Sequence, residues 1–244
     1  MISPATPPRF SAQTRLRALL TDIMELILAR GLEVGDSLPT ESELCLALGV
    51  GRNTLRESLK VLQAVGVIEI RHGFGMFVAP SNFDALADGL TFRGRLSLRH
   101  QGAEALELVN ARRTVESALI GAAMDSMDST DLDALEAAVD RMEKLALQGE
   151  DISDAEEEFH RRLFRPLGNE LLTNLVDVFR DIDLRIQHDD GGARGDPKAA
   201  AALHRRLFQA VVDGDKAAAV DRLGRHFDGF RDRINGIVAA ARET

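Results

Sequence analysis

The chain has 244 residues, 45% of them apolar and 28% charged, which is enough apolar material for a folded core and excludes a wholly disordered chain. Its single cysteine, Cys45, excludes a disulfide framework and a cysteine-based zinc finger. No apolar run approaches the roughly 20 residues of a membrane helix, and residues 1–10 lack the apolar core of a signal peptide. We therefore expect a cytoplasmic protein with no membrane partner.

The charge is unevenly distributed along the chain. Residues 1–78 contain 8 Lys or Arg and 8 Asp or Glu, whereas residues 79–244 contain 22 and 31, so the net charge of −9 lies in the C-terminal part. Such a chain is not an obvious binder of polyanions. If it binds DNA, a small local patch must do so, which favours a dimer with two such patches.

The N-terminal part opens with two predicted helices. Leucine, isoleucine and methionine recur every three or four residues over 11–30, as in an amphipathic helix. Thr40 and Glu43 have the spacing of a capping box and start a second, shorter helix that ends at Gly49. Cys45 lies on the apolar side of this helix, where we expect it to be a buried packing residue.

A third helix and a hairpin follow. The helix covers 52–64, and alternating apolar residues at 67–70 and 76–78 flank a glycine-containing turn. Two short helices joined by a turn and followed by a hairpin predict a winged helix-turn-helix.

The start of the third helix carries side chains of the types that proteins use to contact DNA: Arg52, Asn53, Thr54 and Arg56. Arginine pairs with guanine, asparagine with adenine, and threonine with a base or a phosphate. The hairpin tip, 71–75, combines cationic side chains with glycines that permit close approach to the nucleic acid backbone. For Arg56, an ordinary surface pair with Glu57 is the alternative.

The rest of the chain is predicted to be helical. Candidate helices cover 105–125, 130–147, 152–166, 169–188, 198–213 and 216–242. We therefore predict a mainly α fold with a winged helix-turn-helix DNA-binding domain over 1–80, a linker over 81–104, and an all-α helical bundle over 105–244.

Four residues of the bundle have a spacing that suits a metal ion. Glu156 and His160 are one turn apart on one predicted helix. His204 lies about 15 Å before the turn at Gly214 and His226 about 18 Å after it, so an antiparallel pair of helices brings them to a similar height. The donors suit Zn²⁺, Ni²⁺ or Mn²⁺. The alternative is three isolated histidines and a solvated acidic face.

Residues 32–78 resemble the GntR family of transcription factors. The matching positions are Gly35, Leu38-Pro39, Glu41, Leu44, Leu48-Gly49-Val50, Arg52, Arg56, Leu59, Leu62, Gly66, Arg71, Gly73, Gly75 and Phe77-Val78. The resemblance implies that the four polar residues of the third helix face a DNA operator and that His72 and Gly73 enter the minor groove. Ser42 is a further DNA-facing position, often arginine in relatives, and Gly51 stands where serine or threonine is common.

Residues 105–233 resemble the all-helical effector domain of the FadR-type, or FCD, branch of that family. The matching positions are Ala111-Arg112-Arg113, Glu116, Glu156, Phe159-His160, Leu163, Asn169, His204, Leu207-Phe208, Ala210, Gly214-Asp215, Ala219 and His226. The resemblance implies that Glu156 and the three histidines bind a divalent metal ion. Relatives commonly have aspartate where Glu156 stands, and Glu157 is the alternative carboxylate.

The same resemblance implies a small organic-acid effector held beside the metal, often with an arginine. Arg112 is the candidate because a guanidinium binds a carboxylate through two hydrogen bonds, and a salt bridge with Glu116 is the alternative. Arg185 and His188 are weaker candidates, next to a loop over 189–197 that is either a lid or a solvated connection.

Two functions fit these features. The first is a homodimeric transcription regulator, a repressor by family resemblance, that binds a near-palindromic operator on double-stranded DNA and responds to its effector. The alternative is a metal-dependent hydrolytic enzyme built on the helical domain. Against the enzyme, no helix carries a His-Glu-x-x-His motif and a catalytic site leaves the winged helix unexplained.

Overall fold

The computed structural model describes residues 12–80, 83–188 and 196–242. Over these ranges the chain forms ten α-helices, a short 3-10 helix at Arg165–Leu167 and one antiparallel two-stranded sheet. It divides into two compact units, Met1–Ala85 and Leu86–Thr244. The predicted fold class, a winged helix-turn-helix followed by an all-α domain, is confirmed.

The first unit contains the three helices and the hairpin that the sequence predicts. Its elements are α1 (Ala12–Ala29), α2 (Glu41–Leu48), α3 (Arg52–Ala64), β1 (Ile68–Arg71) and β2 (Gly75–Val78). The strands pair with Ile68 opposite Val78 and Arg71 opposite Gly75. Apolar side chains from all these elements form one core, in which α3 contributes Leu55, Leu59 and Leu62.

Local chemistry sets the bounds of α2. The backbone N–H of Thr40 donates to the Glu43 carboxylate at 2.8 Å, and the N–H of Glu43 donates to the Thr40 hydroxyl at 3.4 Å. Gly49 ends the helix in the left-handed conformation with φ 65°, which favours glycine because it has no Cβ. Cys45 packs against the core but is only partly buried, which corrects the expectation of full burial.

The second unit is helical throughout its described residues. Its helices are α4 (Asp84–Leu98), α5 (Ala103–Ser126), α6 (Ser129–Gln148), α7 (Ser153–Phe164), α8 (Glu170–His188), α9 (Pro197–Val212) and α10 (Lys216–Arg242). α5 contacts α7, α8 and α10, while α9 lies against α6 and α10. This packing brings α7, α9 and α10 together around one buried site.

Helix α4 occupies most of the segment that we expected to be a linker, 81–104. A Cβ placed on Gly94 would lie 2.5 Å from the side chain of Ile186 on α8 and 3.1 Å from that of Leu108 on α5. α4 is therefore closely packed against α5 and α8 at Gly94. The linker expectation is corrected over 84–98, since tertiary packing stabilises a helix whose glycines weaken its own helix propensity.

Candidate metal centre and nucleic-acid surface

The outer face of α3 carries the side chains that the sequence assigns to DNA. Its leucines are buried in the core of the first unit, which fixes the helix from its inner side. Arg52, Asn53 and Thr54 are exposed at its N-terminal end. The N-cap residue, Gly51, makes no side-chain hydrogen bond to the first amides of the helix. Side chains and backbone N–H groups at this end therefore face solvent together, an arrangement that suits phosphate.

Arg56 is held by a carboxylate of the neighbouring helix. Its Nε donates to both oxygens of Glu41, at 3.0 and 2.9 Å. Glu57 pairs instead with Lys60 at 2.9 Å, so the alternative pairing of Arg56 with Glu57 is wrong. The Arg56 side chain remains 58% exposed, and an exposed pair of this kind is weak enough to exchange for a phosphate or a base.

The remaining residues assigned to DNA are also at the surface of the first unit. His72 and Gly73 are exposed at the hairpin tip, and Ser42 is exposed on α2. Between the two glycines of the tip lies Phe74, which is 83% exposed. Sequence reasoning did not single out Phe74, although an aromatic residue between two turn glycines is visible in the sequence.

Four side chains from three helices of the second unit meet in one place. Glu156 and His160 come from α7, His204 from α9 and His226 from α10, and one ligand atom from each lies within 4.8 Å of the others. The Nε2 atoms of His160 and His204 are 3.3 Å apart. The Oε1 atom of Glu156 lies 3.7 Å from Nε2 of His204 and 3.6 Å from Nε2 of His226. The structure thus brings together the four residues that sequence spacing selected.

A contact outside this cluster fixes the orientation of one imidazole. Nδ1 of His204 lies 2.9 Å from the carbonyl oxygen of Ala200. Because a carbonyl only accepts, Nδ1 carries the proton and Nε2 presents a lone pair. Nδ1 of His160 lies 3.5 Å from Oε2 of Glu116 without a hydrogen bond between them. The lone pair of His204 can therefore accept from Nε2 of His160 or share a cation with it.

Burial keeps imidazoles of the cluster in the metal-binding form. Desolvation lowers the pKa of His160 and of His226 well below the ordinary histidine range. Neutral imidazole is the form that coordinates a metal ion. Three histidines and one carboxylate form a donor set that could hold a divalent transition metal, so the residues present fit such an ion.

Glu157, the alternative ligand, has a different partner. Its Oε1 accepts from Nη2 of Arg180 at 3.1 Å. The carboxylate of the cluster is that of Glu156, which precedes His160 by one helical turn and therefore shares its face.

Arg112 lies next to the cluster and is 1% exposed. Its Nε donates to Oε1 of Glu116 at 2.6 Å, and its Nη1 donates to Oδ2 of Asp183 at 2.9 Å. The ion pair with Glu116, the alternative to effector binding, is therefore present. Nη2 of Arg112 is buried and has no hydrogen-bond partner among the described residues, so one edge of the guanidinium is available. Asp183 was not identified from the sequence, because it is 71 residues from Arg112.

Of the two weaker effector candidates, the structure describes the side chain of one. Arg185 is exposed and pairs with Asp88 at 2.6 Å and Asp181 at 2.7 Å. The side chain of His188 and residues 189–195 of the loop lie outside the described part of the chain.

Two family models match the two units. The model described as bacterial regulatory proteins, gntR family, matches residues 17–78. The FCD domain model matches residues 107–229, slightly more than half of the chain. The chain belongs to the GntR family. Its helical unit places this GntR-family protein in the FCD branch.

This GntR-family protein is similar over most of its length to known transcription regulators. It is 23% identical over 210 residues to the HTH-type transcriptional regulator LutR of Bacillus subtilis (strain 168), covering 84% of this chain and 94% of LutR. It is 26% identical over 186 residues to the galactonate operon transcriptional repressor of Escherichia coli (strain K12), covering 75% and 81%. The solved structure of Streptococcus agalactiae GntR has the same fold, with a TM-score of 0.61, 24% identity and coverage of 89% and 99%.

The family decides between the two functions considered above. GntR-family regulators bind DNA operators and generally act as dimers. The family and these relatives are transcription regulators, so the prediction that this GntR-family protein is not an enzyme is confirmed and the hydrolase alternative is rejected. Among its described helices, none is both long and apolar enough to cross a bilayer.

Proposed function

We propose that this GntR-family protein is a homodimeric, effector-responsive repressor. In this proposal the winged helix-turn-helix of 1–80 binds one half of a near-palindromic operator, and the helical domain binds a divalent metal ion, Zn²⁺, Ni²⁺ or Mn²⁺, together with a small organic acid. The observation that carries the proposal is the cluster of partly buried Glu156 with three buried histidines, His160, His204 and His226, beside a buried arginine with an available Nη2.

The DNA surface is supported by exposure and chemistry. The side chains at the start of α3 and at the wing are free of the core, although the protein as a whole carries a net charge of −9. Binding must then rest on local contacts, with Arg52 and Asn53 reading base edges and Arg56 and the α3 amides holding phosphates. Two-fold symmetry doubles these contacts and places two copies of α3 in successive major grooves.

The effector site is supported by a buried donor without a partner. Nη2 of Arg112 makes no hydrogen bond among the described residues. An unpaired buried donor is costly, so its position beside the cluster points to a polar ligand. A carboxylic acid matches it, since Arg112 donates to the acid's oxygens and a metal ion held by the cluster supplies a Lewis-acid site for them.

Regulation follows from linkage between the two sites. An acid that binds more tightly to the DNA-free state than to the operator-bound state weakens operator binding by the ratio of its two affinities. The corresponding coupling free energy is typically about 1–3 kcal/mol. In this proposal the DNA-bound protein represses transcription, and release of the operator by a metabolite relieves the repression. The similarity to a protein named as the repressor of a galactonate operon supports this direction and the choice of acid class.

The effector proposal is tested by a thermal-shift screen of the full chain. Sugar acids, hydroxy acids and dicarboxylates are added with bound metal and after chelation. An acid of the right class should raise Tm only in the metal-loaded protein. Acids that shift Tm equally with and without metal contradict the proposed site.

The DNA proposal is tested on duplexes that the full chain selects from a randomised library. The selected sites should show two-fold symmetry, and their affinity should fall steeply with salt because bound phosphates release counterions. The acid identified by thermal shift should weaken this binding. Sites without symmetry contradict the dimer, and tighter binding in the presence of the acid contradicts repression relieved by effector.

A further inference from the structure

The tip of the hairpin displays an aromatic side chain that the fold does not use. Residues 72–74 connect Arg71 to Gly75, which pair across the strands. Gly73 and Gly75 have φ of +78° and +119°, values that favour glycine. The N–H of Phe74 donates to the carbonyl of Arg71 at 2.9 Å. This tight turn holds Phe74 outward, where 83% of its surface is exposed.

The cationic group at the base of the tip is turned back along the hairpin. Arg71 donates to Glu69 at 3.0 Å, and its guanidinium lies 4.4 Å from the centroid of the Phe77 ring. The extreme tip is therefore formed by His72, Gly73 and Phe74 and is apolar at its centre rather than cationic. The hairpin is anchored instead by Ile68 and Met76, which are buried in the core. An exposed phenyl ring that contributes nothing to this core calls for a partner outside the chain.

We propose that Phe74 is a wedge that enters the minor groove beside each half-site and partly unstacks one base step, bending the operator. The inference rests on the proposed DNA-binding function. DNA is the occupant because the hairpin belongs to the same compact unit as α3, which carries Arg52 and Asn53, and β1 packs against that helix. The glycines on both sides of the ring let the backbone come close to the groove wall.

A wedge of this kind would bend the operator and favour base steps that unstack easily. Apolar side chains inserted between base pairs in the minor groove kink DNA by roughly 20–90°. The cost of unstacking is least at flexible pyrimidine–purine steps. The residue thus selects operators by the deformability of the step beneath the wing, in addition to the bases read by α3.

The test compares full-length variants on one duplex, selected from a randomised library by the unaltered protein. Phe74→Ala removes the ring, Phe74→Leu keeps an apolar wedge, and Leu28→Ala removes an equally unpartnered apolar side chain from α1, where Leu28 is 69% exposed. Bending is measured by energy transfer between dyes at the duplex ends. Unstacking is measured by the fluorescence of 2-aminopurine placed at each step under the wing.

We expect Phe74→Ala to bind at least about ten-fold more weakly, because one aromatic–base contact is lost in each half-site, and to lose the bend and the 2-aminopurine signal. Phe74→Leu should retain a bend, and Leu28→Ala should match the unaltered protein. A bend and a 2-aminopurine signal that persist in Phe74→Ala overturn the wedge, while the loss of base preference in Arg52→Ala would still uphold DNA reading by α3. If the unaltered protein selects no duplex, the proposed function fails and the wedge fails with it.

Discussion

The Nε2 atoms of His160 and His204 lie 3.3 Å apart although the residues are 44 positions apart in the chain. With Nδ1 of His204 committed to a backbone carbonyl, its Nε2 is an acceptor. The 3.3 Å distance fits either a hydrogen bond donated by Nε2 of His160 or a cation shared by both nitrogens. Under the proposed function a bound metal ion takes this position, links α7 to α9 and adds to the stability of the second unit.

Removal of a ligand should lower metal content and stability together. We expect His204→Ala and His226→Ala to lose bound metal and to have a lower Tm than the unaltered protein, because a ligand bound only by the folded state stabilises it. Elemental analysis after purification without added metal or chelator measures the first effect, and a thermal melt with and without chelator measures the second. His100→Ala, at an exposed position, is the control. An unaltered protein that is free of metal and insensitive to chelator contradicts the site.

Glu116 should tune metal affinity without touching the ion. Its Oε2 lies 3.5 Å from Nδ1 of His160, close enough to accept the Nδ1 proton once Nε2 of that histidine binds a metal ion. Glu116→Gln keeps the size of the side chain but removes its charge, so we expect metal affinity to fall by roughly 10–100-fold. Competition with a chromophoric chelator measures this change. Glu107→Gln, an exposed position on the same helix, should have no effect, and an unchanged affinity for Glu116→Gln would exclude the positioning role.

Arg112 should matter for both folding and the effector. Its removal leaves the buried carboxylates of Glu116 and Asp183 without their cation, so Arg112→Ala should destabilise the protein by about 3–5 kcal/mol in urea unfolding. Arg113→Ala removes a half-exposed pair with Asp228 and should cost less than about 1 kcal/mol.

The effector role of Arg112 has its own variant. Arg112→Lys keeps a buried charge but loses the planar set of donors. We expect it to fold and bind metal while the acid-induced rise in Tm disappears. An undiminished response to the acid in Arg112→Lys contradicts a direct contact.

Sequence patterns predicted the local features of this fold. Capping at Thr40, the glycine at the end of α2, and the period of the apolar residues are all readable in the chain, and the helices other than α4 begin and end within two residues of their predicted bounds. Spacing also selected His204 and His226. In an antiparallel pair of helices, residues at similar distances before and after the turn lie level with each other along the helix axes. Each of these features depends on neighbours in the chain or on one turn.

Features that depend on contacts between distant segments were missed. Helix α4 carries glycines that weaken a helix, and only its packing against Ile186 and Leu108 explains it. Asp183 approaches Arg112 because α8 packs against α5. Glu41 replaces Glu57 as the partner of Arg56 since α2 and α3 cross in the first unit. Periodicity says which face of a helix is apolar, but it does not say which helix covers that face.

The capping box of α2 predicts a pH dependence of the first unit. Hydrogen bonds from the Thr40 hydroxyl and backbone N–H lower the pKa of Glu43 below its usual value. A lowered pKa in the folded state means a stabilisation that is present above the unfolded pKa and is lost as pH falls through the folded value. The difference in Tm between the unaltered protein and Glu43→Gln should therefore shrink below about pH 4.5. A difference that is constant with pH contradicts the ionised capping interaction.

Arg52 provides the sharpest test of the DNA surface. It is exposed in the first turn of α3, whose inner face is fixed in the core, so Arg52→Ala should leave the fold and the metal content unchanged. Loss of one base contact in each half-site should weaken binding to the selected duplex by about 1–3 kcal/mol per contact and relax the preference at one base pair in each half-site. Arg15→Ala removes an exposed arginine from α1 and controls for the change in net charge. Fluorescence anisotropy on the selected duplex measures the loss of affinity, and the same measurement on single-base variants of the duplex measures the loss of base preference. If Arg52→Ala and Arg15→Ala weaken binding equally on every duplex, Arg52 acts through charge alone and α3 does not read the sequence with this residue.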